Sequence, residues 1–154
     1  MSQKVHYIKG TLAVETRRPS FSLPPDFQSR GEYHITVLDP RDAKVLKQAH
    51  GCSNQGLEEW MKSQHGATIS GTPQSLGIGR ASDGSNEAYF EVIDWPEAQQ
   101  WRGEQGLGPK DFHVTVGFKG SDVHGVPKDR STIISIDRLY SIASEIDSIS
   151  TQVK

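Results

Sequence analysis

The order of apolar and polar residues along the chain predicts a series of short β-strands. Alternation with a period of two, or a short apolar run between turn residues, marks the segments 4–14, 32–38, 67–81, 87–95 and 112–118. The third of these segments is interrupted by a turn signal. Strands this short, with turn residues between them, favour antiparallel pairing over the long crossover connections of a parallel sheet.

Short helices are predicted between the strands. Segments 39–51 and 54–66 are short amphipathic runs that end at a glycine, and segment 95–106 has a proline near its first helical position. The sequence SDGSN at 82–86 contains an Asp-Gly pair, which is typical of a hairpin turn. Together with the strands, these helices predict an α+β fold.

The length of the chain predicts a single domain, and its last residues are predicted to form a tail. At 154 residues, one domain over residues 1–154 is the simplest arrangement. Residues 132–146 fit a strand or a helix equally well, and residues 148–154 are predicted to be a frayed tail.

Charge and cysteine content narrow the classes of partner. The chain has 17 Lys and Arg residues against 19 Asp and Glu residues, a formal net charge of −2. It therefore lacks the strongly basic balance by which proteins grip long duplex nucleic acid, although a few placed groups can still bind a nucleotide or a strand end. With Cys52 as the single cysteine, no internal disulfide is possible.

The sequence contains neither a signal-peptide pattern nor an apolar window long enough to span a membrane. We therefore expect a cytoplasmic protein, with a nuclear location as the alternative, and no membrane partner. We also expect a monomer.

Two of the predicted strands carry the same polar pattern, His-x-Thr-Val. The first is HITV, with His34 and Thr36, and the second is HVTV, with His113 and Thr115. Because side chains alternate across a strand, each histidine shares a face with its threonine while the apolar residues point the other way. If the two polar faces meet in one cleft, that cleft holds two imidazoles and two hydroxyls.

This set of groups suits phosphoryl chemistry. Near neutral pH one imidazole can accept a proton while the other donates one, so the pair can activate an attacking water and protonate a departing oxygen. The hydroxyls can donate hydrogen bonds to the non-bridging phosphate oxygens. Neither a metal nor a cofactor is required. The opposing interpretation is coincidence, since one such tetrad means little and two are only mildly unusual.

The tetrads HITV and HVTV, with the lead-in GLGPKDF before the second, resemble the paired signatures of the two-histidine (2H) phosphoesterase superfamily. This group includes the RNA 2′,3′-cyclic phosphodiesterases and the cyclic phosphodiesterase domains of tRNA ligases. The resemblance spans roughly residues 4–140 and rests on the motifs. It implies a two-lobed α+β fold of antiparallel sheets with pseudo-twofold symmetry, helices outside, and a central cleft that carries both motifs.

The resemblance also implies roles for the motif residues. His34 and His113 match the catalytic pair, and Thr36 and Thr115 match the hydroxyls that contact phosphate. The implied reaction is metal-independent opening of a 2′,3′-cyclic phosphate on a nucleotide or an RNA end. Of the two histidines, we take His113 as the base and His34 as the acid.

Further residues are candidates for substrate binding. If residues 4–14 form a single strand, Tyr7 and Lys9 lie on the same face, where Tyr7 could stack on a base and Lys9 could neutralise phosphate. The alternative is that Tyr7 is an ordinary aromatic residue of the sheet. Phe118 matches an aromatic position of the family that contacts the base, whereas strict alternation directs it to the core. Lys128 and Arg130 could reach a phosphate, but a solvated surface loop is the stronger interpretation.

Other functions stay open at this level. The remaining histidines, His6, His50, His65 and His124, show no metal-ligand spacing, so no metal site is predicted. The alternatives to a cyclic phosphodiesterase are a 2′,5′-phosphodiesterase or RNA exonuclease of the same superfamily, and a non-catalytic module that binds RNA ends. A structural domain with two coincidental motifs ranks last.

Overall fold

The computed structural model describes residues 2–123 and 126–134, which contain nine β-strands, three α-helices and one turn of 3₁₀ helix. The strands are β1 (Ser2–Lys4), β2 (His6–Ile8), β3 (Thr11–Glu15), β4 (Gln28–Ser29), β5 (His34–Leu38), β6 (Thr68–Ser70), β7 (Gln74–Ser82), β8 (Glu87–Asp94) and β9 (His113–Lys119). The helices are α1 (Pro40–His50), α2 (Asn54–Ser63), α3 (Pro96–Glu104) and the 3₁₀ turn Arg130–Thr132.

The α+β class is confirmed. The predicted helices form, as does the predicted interruption between β6 and β7. The undecided element at 132–146 falls mostly outside the described residues, and the predicted tail at 148–154 and His124 fall wholly outside them.

The chain divides into two compact units, each made from three separate stretches of sequence. Unit 1 comprises Met1–Arg17, His34–Gln74 and Asp94–Phe112. Unit 2 comprises Arg18–Tyr33, Ser75–Ile93 and His113–Lys154. Unit 1 therefore contains the first His-x-Thr motif and unit 2 contains the second. The expectation of a single domain, like that of pseudo-twofold symmetry and a shared cleft, stays a prediction.

Unit 1 is built on a three-stranded sheet in the order β2-β3-β5, with a separate pair β1-β6, and the pairings are antiparallel. Helix α3 contacts β5 and β6, and α1 contacts α2. One face of the three-stranded sheet carries fully buried apolar side chains, among them Leu12 and Ile35. Burial of this apolar face supplies the main stabilisation of the unit.

Helix α1 begins directly after β5 because its first residues cap it. The side chain of Asp39 accepts hydrogen bonds from the backbone N–H groups of Arg41 (2.8 Å) and Asp42 (2.9 Å). The carboxylate of Asp42 accepts one in return from the N–H of Asp39 (3.0 Å). This reciprocal capping box fixes where the first motif strand ends and the helix starts.

The single strand predicted over 4–14 is wrong, because the segment folds back on itself. Lys9 (φ 47°) and Gly10 (φ 83°) form a two-residue turn between β2 and β3. Positive φ at both central positions is the geometry that joins twisted antiparallel strands most easily, and glycine adopts it without strain. Alternation in the letters continues through such a turn, so the pattern alone does not reveal it.

Unit 2 is built on a four-stranded sheet in the order β4-β9-β8-β7. The hairpin turn predicted at 82–86 is confirmed, since the N–H of Asp83 donates to the carbonyl of Asn86 (3.1 Å) between β7 and β8. The short strand β4 lies in a stretch for which no strand was predicted. Both faces of the sheet are covered by apolar clusters, one around Phe90 and Val92 and the other around Val116.

Candidate active site

The first motif lies on β5, which begins at His34. In the pairing with β3, His34 is opposite Glu15 and Thr36 is opposite Ala13. Residues opposite each other in an antiparallel pair share a face, so His34, Thr36 and Glu15 lie on one side of the sheet. Both motif side chains are partly exposed, whereas Ile35 is fully buried.

A β-bulge follows the threonine of this motif. Leu12 pairs with Leu38 and the next residue, Ala13, pairs with Thr36, so Val37 is an extra residue without a partner on β3. A bulge of this kind disrupts the hydrogen-bond ladder locally and bends the strand.

The second motif has the same local geometry on β9, which begins at His113. On the neighbouring strand, Phe90 pairs with Thr115 and the preceding residue, Tyr89, pairs with Gly117, so Val116 is the extra residue. In both motifs, therefore, the histidine begins the strand and the bulge falls on the valine after the threonine. The sequence pattern alone does not predict that the two motifs share this strand geometry.

The bulge changes the expected orientation of Phe118. Strict alternation from His113 directs Phe118 to the opposite face, but Phe118 pairs with Ala88 and packs against the apolar cluster that contains Phe90. Phe90 pairs with Thr115, so Phe118 lies on the same face as the motif side chains. Phe118 therefore packs in an apolar cluster, as parity predicted, but on the opposite face from the predicted one, because the extra residue at Val116 resets the alternation.

The ring of Phe90 contacts the ring of His113 and also lies beside a buried cation. The ring of Phe90 meets that of His113 edge to face, with centroids 5.8 Å apart. The ammonium of Lys128 lies 5.6 Å from the centroid of the same Phe90 ring. Lys128 is only 7% exposed and forms an ion pair with Asp122 at 3.4 Å, and Arg30 contacts the same carboxylate at 3.0 Å.

Lys128 therefore does not belong to a solvated loop, and that prediction is wrong for this residue. Burial lowers the pKa of Lys128, while its ion pair with Asp122 works in the opposite direction. Arg130, in the 3₁₀ turn, is exposed, in agreement with the solvated interpretation.

The surroundings of His34 include two residues that the sequence analysis missed. His6 pairs with Ala13 across β2 and β3, so it lies on the same face as Glu15 and His34. The Nε2 atom of His6 is 3.6 Å from a carboxylate oxygen of Glu15. The sequence feature that could have revealed these neighbours is the Lys9-Gly10 pair, which forms the hairpin turn. A single strand over 4–14 cannot bring His6 beside Glu15.

The hairpin also revises the two N-terminal substrate-binding candidates. Tyr7 is opposite Leu12, so it lies on the face of the sheet away from His34, and its backbone N–H donates to Nδ1 of His65 (3.0 Å). Lys9 lies in the turn rather than on a strand face. The strand-face argument for both residues is therefore wrong.

The segment that leads to the second motif is held by side chains of α3. Gln99 donates to the carbonyl of Lys110 (2.7 Å) and accepts from its N–H (3.0 Å). The Lys110 ammonium pairs with Asp39 at 2.6 Å. Burial alone raises the pKa of Asp39, but hydrogen bonds from Lys110 and from backbone N–H groups outweigh it and hold that pKa below its usual value.

Two features are absent from the described part of the chain, a cluster of metal ligands and a membrane-spanning helix. Within residues 2–123 and 126–134, no three His, Cys, Asp or Glu side chains are grouped so that they could hold a metal ion. None of the helices in that part is long and apolar enough to cross a membrane.

Comparison with known families identifies the class of protein. The profile of the family described as "Swiss Army Knife, 2H phosphoesterase domain" matches residues 1–124, a span that contains both motifs. The chain belongs to this family and is a phosphoester hydrolase of the two-histidine superfamily. No curated protein and no solved structure matches the chain.

Proposed function

We propose that this protein hydrolyses 2′,3′-cyclic phosphates of nucleosides or RNA ends to monophosphate esters, with His34 and His113 as a metal-independent acid–base pair. The observation that supports the proposal is the shared local geometry of the two motifs. Each histidine begins a strand, shares a face with its threonine and is followed by a bulge at the valine. A repeated construction in a chain of this family favours two matched halves of one catalytic site over coincidence.

In the proposed reaction, water attacks the phosphorus of the cyclic phosphate. One imidazole takes a proton from the attacking water as the new P–O bond forms. The bond from phosphorus to one ribose oxygen breaks, and the other imidazole donates a proton to that departing oxygen. The product is a phosphate monoester beside a free hydroxyl, and each histidine leaves the reaction in the protonation state that its partner began with.

The proposal takes His34 as the acid and His113 as the base, because the two histidines have different surroundings. Glu15 lies directly opposite His34 across β3 and β5. The ring of Phe90 meets the ring of His113 edge to face. Different environments are the usual basis for dividing acid and base roles between two titratable groups.

The threonines are proposed to bind the phosphate. Thr36 and Thr115 each lie two residues after a histidine on the same strand face, about 7 Å along the strand. A hydroxyl at that spacing can donate to a non-bridging oxygen while the imidazole contacts the reacting oxygen. Hydrogen bonds aimed at those oxygens stabilise the charge that the transition state holds.

The test is turnover of nucleoside 2′,3′-cyclic monophosphates in the presence of EDTA. The wild type is compared with His34→Ala, His113→Ala and the control His50→Ala, which removes an exposed histidine at the end of α1. We expect the control to keep wild-type activity and each motif variant to lose about 10²–10⁴-fold in kcat. Separation of the 2′- and 3′-phosphate products gives the direction of opening.

Linear substrates distinguish the alternatives. A 2′,5′-linked dinucleotide and a short 3′,5′-linked RNA are assayed beside the cyclic substrate. Turnover of a linear substrate alone replaces the proposal with one of the other activities of the superfamily. Binding of an RNA end without any product, unaffected by alanine at both motifs, identifies a non-catalytic module. Activity lost in EDTA and restored by a divalent ion contradicts the metal-independent mechanism.

A further inference from the structure

Arg102 is a buried cation in unit 1 with hydrogen bonds from all three guanidinium nitrogens. It lies in the last turn of α3 and is 3% exposed. Its Nη1 and Nη2 atoms donate to the two carboxylate oxygens of Asp42, at 2.8 and 3.1 Å. Nη1 also donates to the carbonyl of Val37 (2.9 Å), and Nε donates to the carbonyl of Gly108 (2.9 Å). One side chain therefore joins two stretches that are distant in sequence, residues 37–42 and 102–108.

The bond to Val37 reaches the first motif directly. Val37 is the bulged residue that follows Thr36, and it is fully buried. A bulge interrupts the ladder, and a buried carbonyl that loses its ladder partner must be paired elsewhere. Arg102 supplies that donor. It thereby stabilises the backbone geometry at which the motif strand bends.

The bond to Asp42 fixes the residues that follow the motif. The same carboxylate oxygen that accepts from Arg102 accepts the backbone N–H of Asp39, the capping residue of α1. Asp39 comes directly after the last residue of β5. Arg102 therefore holds both the bulge and the capping box at the end of the strand.

The bond to Gly108 fixes the segment that precedes the second motif. The N–H of Leu107 donates back to the carbonyl of Arg102 (2.9 Å), at a helix end where Gly106 has φ 86°. Lys110, two residues after Gly108, pairs with Asp39 at 2.6 Å. The chain that leads to His113 is thus bound to the same cluster as the chain that leaves His34.

We propose that Arg102 is a positioning residue for catalysis, which holds the bulged end of the His34 strand and the entry segment of the His113 strand in fixed geometry. The inference rests on the proposed function, because hydrolysis of the cyclic phosphate is one of its readouts. Arg102 acts through the backbone and contacts neither substrate nor the reacting groups. Loss of the Arg102 guanidinium is expected to displace the side chains of His34 and Thr36.

The test uses Arg102→Lys and Asp42→Asn, with Arg80→Met as the control. Lysine keeps the charge of Arg102, but it cannot reproduce the fork that bonds two carbonyls and both oxygens of Asp42. The control removes an arginine that pairs with Glu87 in the hairpin of unit 2. Each variant is assayed well below its unfolding temperature for kcat/KM on a nucleoside 2′,3′-cyclic monophosphate and for the NMR signals of the His34 imidazole.

We expect both variants in the cluster to lose about 10–100-fold in kcat/KM, with displaced His34 signals, because small misplacements of catalytic groups have effects of this size. The control keeps wild-type values of both. Folded Arg102→Lys and Asp42→Asn proteins with wild-type kcat/KM and unchanged His34 signals overturn the inference. If the wild type hydrolyses no cyclic phosphate, the proposed function fails, and the NMR signals of His34 alone decide whether Arg102 is a positioning residue. Displaced His34 signals in both variants support the positioning role. Unchanged His34 signals overturn it.

Discussion

Replacement of Arg102 by methionine tests whether the buried cluster of unit 1 stabilises the fold as its geometry indicates. Methionine resembles the aliphatic stem of arginine but has no charge and no donors. The substitution leaves the Asp42 carboxylate, which is 16% exposed, without its bidentate partner. It also leaves the carbonyls of Val37 and Gly108 without the donors that Arg102 provides.

The size of the effect follows from these lost partners. Removal of one member of a buried ion pair costs about 3–5 kcal/mol of unfolding free energy, because the remaining charge stays buried and loses its main partner. The Lys110 ammonium, 3.7 Å from the Asp42 carboxylate, offsets part of this cost. For a chain of this size about 2–4 °C is lost per kcal/mol, so we expect the unfolding temperature to fall by about 6–20 °C. The more exposed pair Arg80–Glu87 serves as the control, and its loss costs about 0–1 kcal/mol.

The assay is urea unfolding followed by both circular dichroism and tryptophan fluorescence, so that separate unfolding of the two units is detected. A double-mutant cycle of Arg102→Met with Asp42→Asn isolates the interaction between the two side chains. A loss below about 1 kcal/mol in Arg102→Met, no larger than that of an exposed pair, would refute the reasoning.

Three further predictions test other parts of the account. Hydrogen bonds hold the pKa of Asp39 below its usual value, so their stabilising contribution is complete at neutral pH and is lost as the pH falls through the folded-state pKa. Lys110→Met should therefore reduce the free energy of urea unfolding more at pH 7 than at about pH 3, and an equal loss at both contradicts this. Gly117→Ala should cost about 1–3 kcal/mol in urea unfolding, since a Cβ there meets a side chain and a backbone carbonyl. The control Gly103→Ala, in open space on a helix, should be neutral or stabilising. Glu15→Gln should lower kcat/KM on a nucleoside 2′,3′-cyclic monophosphate, because Glu15 lies opposite His34 on the same face of the sheet; wild-type kcat/KM in this variant contradicts a role for Glu15 in the site.

The elements that depend on local chemistry could be predicted from the sequence. Helix α1 has its capping residue, its proline and its terminal glycine within the predicted segment, and the hairpin at 82–86 has its Asp-Gly pair. The motif strands could be located because each combines an apolar run with a polar intrusion of fixed spacing. Such features leave their mark on neighbouring residues, so a single sequence reveals them.

The features that depend on register could not be predicted. A two-residue turn at Lys9 and Gly10 and an extra residue at Val37 or Val116 each reverse the faces of the residues that follow, without any change in the alternation of letters. The strand faces predicted for Tyr7 and Phe118 were wrong for this reason.

Long-range pairing set a second limit. Arg102 bonds a residue 65 positions away in the sequence. No local pattern marks an arginine near a helix end as buried, because arginine in that position is usually a solvated cation that complements the helix dipole. Burial of this kind becomes visible only once the elements are packed.

The pH dependence of kcat/KM in His34→Ala and His113→Ala tests the central claim most directly. For the wild type we predict a bell-shaped profile, since the base must be neutral and the acid protonated. His34→Ala should lose the alkaline limb and His113→Ala the acidic limb, each with strongly reduced activity. If either variant keeps the complete bell, that histidine is not one of the two proton-transfer groups, and the account is contradicted.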